Sequence, residues 1–254
     1  ALIYDFDDSI WLNDTSEGNQ KLQWMKRPAK TADICRLSDL VIVGNKYLEH
    51  YVSEFNKNVK IIPTTIDTNY HVNPQKYSDK KTVCIGWTGT STTLKHFESI
   101  LPALLNIKSV YKEAVSFKLI IDIPYVNEEL GIVATAWNKE TEIDDLADID
   151  IGIMPLPNDE WSKGKCGFKG LQYMSLGIPT VMSPYGVNEE IISHGINGFH
   201  AETETQWIEI LSLLINDFEQ RKTIGEKGLQ TVVDKYSVES QKELYVSLFK
   251  NLTK

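Results

Sequence analysis

Three lysines crowd into seven residues of the stretch "SKGKCGFKGLQYMS": Lys163, Lys165 and Lys169, interleaved with Gly164, Gly167 and Gly170. A helical period follows at once, so the cations fall before or within the first turn of a helix. Ammonium groups beside the free N–H groups of a helix start form a cradle for a diphosphate and neutralise it without a metal. A second stretch, "VCIGWTGTSTTLKHF", runs from an apolar strand through a Gly- and Thr-rich turn into a helix. Gly86, Thr88, Gly89 and Thr90 are candidates there to bind phosphate through N–H and hydroxyl groups, although the same residues suit a plain turn that caps the helix. The GxxG spacing, without a third glycine or a GK[ST], excludes the usual nucleotide fingerprints. A third stretch, "ALIYDFDDSIW", ends an apolar run in Asp5, Asp7 and Asp8. Those carboxylates suit a phosphotransfer nucleophile, a metal-binding pair or the end of a buried strand.

The elements that must position these groups alternate. Strand candidates are 2–6, 40–43, 60–62, 82–86, 117–122, 132–136, 149–154 and 180–182; helix candidates are 31–37, 46–55, 93–112, 143–147, 168–176 and 188–194, and the chain reads as helices from Glu204 onward. Such alternation implies an α/β fold, a Rossmann-like parallel sheet with helices on both faces. The polar segment 66–81 reads as a linker. It separates a partial Rossmann-like domain, 1–65, from a complete unit of five strands, 82–235, and residues 236–254 form a closing helix. Ligands of such sheets lie beyond the carboxyl ends of the strands. Trp137, just past one strand, offers a face for a base or a core aromatic. Asp144, Asp145, Asp148 and Asp150 read as solvated or capping carboxylates.

Composition narrows the chemistry. Among 254 residues, 35 acidic against 26 basic side chains give a formal charge of -9, which disfavours nucleic acid. Cys35, Cys84 and Cys166 are odd in number and far apart, and they read as reduced thiols in a cytoplasmic protein. No apolar run approaches a membrane span. "LQWMKRPAK", with Trp24, Lys26 and Arg27, suits peripheral contact with a membrane or an acceptor, or a short amphipathic surface helix. No cysteine or histidine cluster suggests a metal or cofactor, and the oligomeric state is left open.

The run "ADIDIGIMPLP…CGFKGLQYMSLGIPTVMSPYGVNEEIISHGINGF", from Asp148 to Phe199, resembles the C-terminal domain of retaining glycosyltransferases of the GT-B fold, the group 1 family. "SDLVIVGNKYLEHYVSEFNKNVKIIPTTIDTNY" is similar to the end of that family's N-terminal domain. The resemblance implies transfer of a sugar from a nucleoside diphosphate sugar to a saccharide or lipid-linked acceptor, in polysaccharide or glycoconjugate synthesis, without a cofactor. It implies a donor site of Gly86, Thr88, Gly89, Thr90 and Trp137 together with Lys165, Gly167, Phe168, Lys169 and Gln172, with Lys165, Lys169 and Gln172 catalytic. It also implies that the first strands of the N-terminal domain are absent, so that this piece alone is expected to be inactive. The family's paired glutamates fall on Gly164 and Gln172, and its basic pair on Trp87 and Thr92, which marks a divergent branch. Lys165 and Lys169 are the replacements for the missing charge. Two other readings stand beside this one. "LIYDFDDSI" resembles the haloacid dehalogenase-like phosphotransferases, with Asp5 as nucleophile, Asp7 as acid/base, and Thr64 or Thr65, Lys81 or Lys95, and Asp144 with Asp145 recruited later. The other is a relative that binds nucleotide sugar without turnover.

Overall fold

The structure, a computed structural model, describes residues 1–12, 27, 29–73 and 79–252. Trp24 and Lys26 lie outside the described residues. The chain runs β1 (Ile3–Phe6), α1 (Ala29–Leu37), β2 (Leu40–Val43), α2 (Lys46–Ser53) and β3 (Val59–Ile61), then β4 (Val83–Thr88), α3 (Leu94–Glu98), α4 (Leu101–Tyr111) and β5 (Val115–Ile121). Next come β6 (Val126–Asn127), β7 (Ile132–Val133), β8 (Thr135–Ala136), α5 (Glu142–Ala147), β9 (Ile151–Met154), α6 (Glu160–Lys163) and α7 (Phe168–Ser175). The chain closes with β10 (Thr180–Met182), α8 (Asn188–Ile191), β11 (Phe199–His200), α9 (Glu204–Asn216), α10 (Phe218–Thr231) and α11 (Val238–Leu252).

The first sheet is parallel, in the order β1-β2-β3. Its middle strand, LVIV, is apolar throughout because both faces are covered. Val41 and Val43 meet Phe6, Leu48 and Val52 on one face. Leu40 and Ile42 meet Ile62 and, from the closing helix α11, Tyr245 and Leu248 on the other. The chain therefore returns to its first sheet after completing the second. On the way, Ser237 bridges Ile66, which is buried among Met154, Leu171, Met174 and Tyr236. The segment read as a polar linker thus begins with a core residue.

The second sheet has six parallel strands in the order β11-β10-β9-β4-β5-β8. Its residues alternate between two cores. Ile85, Trp87, Ile151, Ile153 and Val181 face Leu104, Ile107, Trp207 and Leu211 of α4 and α9. Met154 and Met182 face Leu171 and Met174 of α7. From β4 the chain moves outward to β5 and β8, then returns to place β9 on β4's other side. The strand order reverses between β4 and β9, the place where open α/β sheets bind ligands.

Several elements differ from the sequence reading. The helix expected over 93–112 breaks after Glu98, and α4 starts afresh with Pro102 in its first turn, where a missing N–H costs nothing. The strand expected over 132–136 is two strands: β7 pairs antiparallel with β6 and β8 pairs parallel with β5. The helix expected to reach residue 194 stops at Ile191, where Ile192 turns extended and the Asn197 carboxamide takes the Ser193 N–H. The two residues of β11 add a sixth strand to the five expected. Asp145 and Asp148 are not merely solvated, since both hold Lys118, at 3.0 and 2.9 Å. Asp150 pairs with Lys80 and accepts the Cys84 N–H.

Gly152 of β9 lets the fully buried Tyr173 ring lie flat against the strand; a Cβ there would stand 2.5 Å from the ring. The Tyr173 hydroxyl in turn accepts the Thr88 N–H at 2.8 Å, at the mouth of the switch point. Gly152→Ala is therefore expected to lower the unfolding free energy by ~1–3 kcal/mol, read as a drop in denaturant midpoint at unchanged slope.

Candidate functional site

Helix α7 begins beside the carboxyl end of β9. Gly167 is its N-cap, in the left-handed region at φ 72°, and no side chain caps the helix. The first N–H groups of a helix have no partner within it, and here they lie at the positive end of the helix dipole. A cavity of about 190 Å³ opens at this point, lined by Lys165, Phe168 and Lys169 with Thr93, His96, Met154 and Leu156, and by Asp7 and Asp8 from the first sheet.

The two lysines differ in their surroundings. The Lys169 ammonium lies 4.7 Å from the centroid of the buried Trp87 ring and donates to Thr93 Oγ1 at 3.1 Å. Burial, with Lys165 adding repulsion, pulls its pKa down to about 8. Lys165 is bound by the Asp8 carboxylate at 3.0 Å and lies 5.1 Å from the centroid of the Trp161 ring. Burial raises the Asp8 carboxyl above the usual range, against the pull of Lys165. His96 is pulled down to about 4 by burial and then by Lys169 and Lys95, so it lines the cavity as a neutral imidazole. Trp87, where a basic residue was missing from the resembled motif, thus serves as the platform for Lys169.

The turn after β4 spends most of its N–H groups on internal hydrogen bonds. Four of them are engaged: Gly89 donates to the Ile120 carbonyl, Thr90 to Thr93 Oγ1, Ser91 to Asp122 Oδ1 and Thr93 to the Thr90 carbonyl. Thr90 and Thr93 form a capping box. Gly86 is buried inside β4 against Ile149, and the Thr88 N–H is held by Tyr173. Of this turn, the Thr93 hydroxyl is what reaches the cavity.

The loop ahead of α7 is anchored to the first sheet. Asn45, just beyond β2, caps α2 through Oδ1, accepting the Leu48 N–H. Its Nδ2 faces the carbonyls of Gly164 and Lys165, each at 3.2 Å, and that of Lys163 at 3.5 Å. The Cys166 thiol donates to the Asp7 carbonyl at 2.9 Å, and burial pushes its pKa up to about 12, which leaves it an unreactive packing group. Gly44 leaves the room that Cys166 fills, and Gly164 the room that Ser9 fills. Tyr47 ties α2 to Glu160 at 2.8 Å.

Trp137 and Gln172 come together through a residue the sequence reading passed over. Glu142 Oε1 accepts from Trp137 Nε1 at 3.1 Å and from Gln172 Nε2 at 3.0 Å. The Gln172 amide is therefore already engaged, while half of the Trp137 surface stays exposed. His96, Thr93, Glu142 and Asn45 were all missed. His96 carries a legible signal, as it lies three residues after Thr93 at a helix start. Of the phosphotransferase reading, Asp5 is exposed and neighbours Tyr245 of α11, and Asp145 is held by Lys118. Among the described residues no group of three or more His, Cys, Asp or Glu side chains could hold a metal, and no helix is long and apolar enough to cross a membrane.

Residues 138–231 match the family Glycosyl transferases group 1. No curated protein sequence matches the chain. Among solved structures, sucrose-phosphate synthase from Thermosynechococcus elongatus matches with TM-score 0.74 at 15% identity, over 99% of this chain and 67% of that one. HepE from Anabaena, in complex with UDP and glucose, matches with TM-score 0.72 at 14% identity, over 98% of this chain and 71% of that one. TarM from S. aureus, in complex with Fondaparinux, alpha-GlcNAc-glycerol and UDP, matches with TM-score 0.72 at 17% identity, over 97% of this chain and 50% of that one. The fold is that of the GT-B glycosyltransferases.

An anion entering the cavity favours the charged form of Lys169, so binding above the pKa of about 8 must take up a proton. Affinity for pyrophosphate is expected to fall by up to about tenfold per unit as pH rises through that value. Lys169→Arg stays charged and removes the fall. Calorimetric titration of both proteins across this range cancels the anion's own titration, and equal slopes contradict the assignment.

Proposed function

From a group 1 glycosyltransferase segment on a GT-B fold, we propose that this chain carries the donor site of an enzyme that moves a sugar from a nucleoside diphosphate to an acceptor hydroxyl. The observation that carries the reading is the uncapped start of α7 with Lys165 and Lys169 beside it, at the strand-order reversal and across from Asp7 and Asp8. When the bond from the sugar to the diphosphate breaks, negative charge collects on the leaving oxygen. Prepositioned ammonium and N–H groups in a half-dry cavity stabilise that charge without reorganising. Trp137 offers an exposed aromatic face, tied to Glu142, on which the base stacks.

UDP and glucose in the HepE structure support UDP-glucose as the first donor to test. The reading extends to a retaining hexosyltransferase of cytoplasmic polysaccharide or glycoconjugate synthesis, supported by the motif similarity over 148–199. A cleft of about 490 Å³ between Asn45–Tyr47 and Tyr185–Glu190 suits a saccharide acceptor, because its amides, tyrosines and carboxylates are partners for hydroxyls. The TarM complex, with its saccharide and glycerol glycoside, supports such an acceptor. One observation favours a relative that binds without turnover: Ser9 occupies the room a side chain at position 164 would need. UDP or GDP binding by the full-length protein without sugar transfer would select that reading.

A thermal-shift panel of UDP, GDP and ADP, free and as sugar conjugates, is expected to raise the melting point with at least one of them. Lys169→Ala should then weaken that diphosphate by about 10- to 100-fold, the loss of one charge-assisted contact, and its nucleoside by less than about twofold. Equal losses for diphosphate and nucleoside would rule out the cradle.

A further inference from the structure

The charges that line the cavity at α7 balance in number, and their arrangement is uneven. Its lining includes two carboxylates, Asp7 and Asp8, and two ammonium groups, Lys165 and Lys169, with His96 neutral. Lys169 rests on neutral partners, Thr93 and the Trp87 ring, and among the described residues no carboxylate pairs with it. Lys165 is already satisfied: both oxygens of Asp8 lie 3.0 Å from its Nζ. Asp8 belongs to the loop after β1 of the first sheet, Lys165 to the loop before α7 of the second, so the pair crosses between them. Asn45 fixes the Lys165 backbone by its carbonyl, so exchange of partners needs only a side-chain movement.

On the reading that the cavity holds a nucleoside diphosphate, we propose that Asp8 is a built-in stand-in for phosphate: it holds Lys165 in the empty site and is displaced from it by the incoming diphosphate. Lys169, unmatched, attracts the first phosphate. A second phosphate then competes with Asp8 for Lys165, and it wins because it brings more charge and adds the α7 N–H groups as partners. Burial already disfavours the charged form of Asp8, and without Lys165 the carboxylate loses its compensating partner. Asp8 therefore sets a threshold on donor affinity while keeping the Lys165 side chain aimed into the site. The Trp161 ring beneath Lys165 supports the ammonium in both states.

Calorimetric titration with UDP, GDP and ADP tests this on the chain and on Asp8→Asn, Asp7→Asn, Lys165→Ala and the double variant Asp8→Asn/Lys165→Ala. Asp8→Ser repeats the charge removal, and melting of each ligand-free protein establishes that it folds. Asp8→Asn is expected to tighten the preferred nucleotide on the order of three- to tenfold, the scale of a partly exposed ion pair plus the lost repulsion. The gain should shrink below about twofold in the Lys165→Ala background and exceed that of Asp7→Asn. A gain that persists without Lys165, an equal gain from Asp7→Asn, or no gain at all overturns the exchange while leaving the nucleotide site standing. Failure of every nucleotide to bind any of the folded proteins overturns both.

Discussion

The Asn45 carboxamide is the contact on which the site depends. One oxygen ends the first turn of α2, and the nitrogen gathers the carbonyls of residues 163–165, so a single side chain fixes a helix of the first sheet and the loop of the second. Gly167 enters the helix at φ 72° with no side-chain cap, and the N–H groups of α7 are left for a ligand. Cys166 and Gly44 complete the closure, the thiol filling space where any side chain at 44 would collide. The cavity is thus a product of both sheets, although most of its polar groups belong to the second.

Charge within this frame is arranged by burial. Lys169 lies over an aromatic face in a place dry enough to lower its pKa to about 8, and His96 is held neutral beside it. An ammonium that is poorly solvated when the site is empty gains more from an anion than one already in water, because less hydration is given up on binding. Trp87 and Thr93, uncharged themselves, make Lys169 effective by directing it. The Glu142 bridge does the same for Trp137, fixing the indole edge so that its face stays open.

Much of this was legible in the sequence. The stretch from Asp148 to Phe199 shows the strand, the lysine loop, the helix and the next strand in order, since glycine and proline punctuate each boundary and the periods change sharply. β1, β2 and β10 stood out as short apolar runs bounded by polar residues. What was not legible was non-local. The Gly89–Thr93 turn has the composition of a phosphate loop, yet Asp122, 31 residues further on, takes the Ser91 N–H, and Ile120 takes that of Gly89. Nothing local to either segment shows that pairing. Ile66 looked like the start of a linker because its burial depends on residues near Tyr236, and the β7–β8 split depends on partners in different sheets. Gln172 was identified by position, but its engagement by Glu142 is a tertiary contact.

The central claim is that phosphate binds at the start of α7 and not at the turn after β4. A crystal structure with a bound nucleoside diphosphate tests it most directly. The account predicts phosphate oxygens within about 3 Å of Lys169 Nζ and of the N–H groups of Phe168 or Lys169, with Lys165 turned from Asp8 toward the ligand. A diphosphate seated on the Gly89–Thr93 N–H groups, with Lys165 still on Asp8 and Lys169 out of reach, would contradict it.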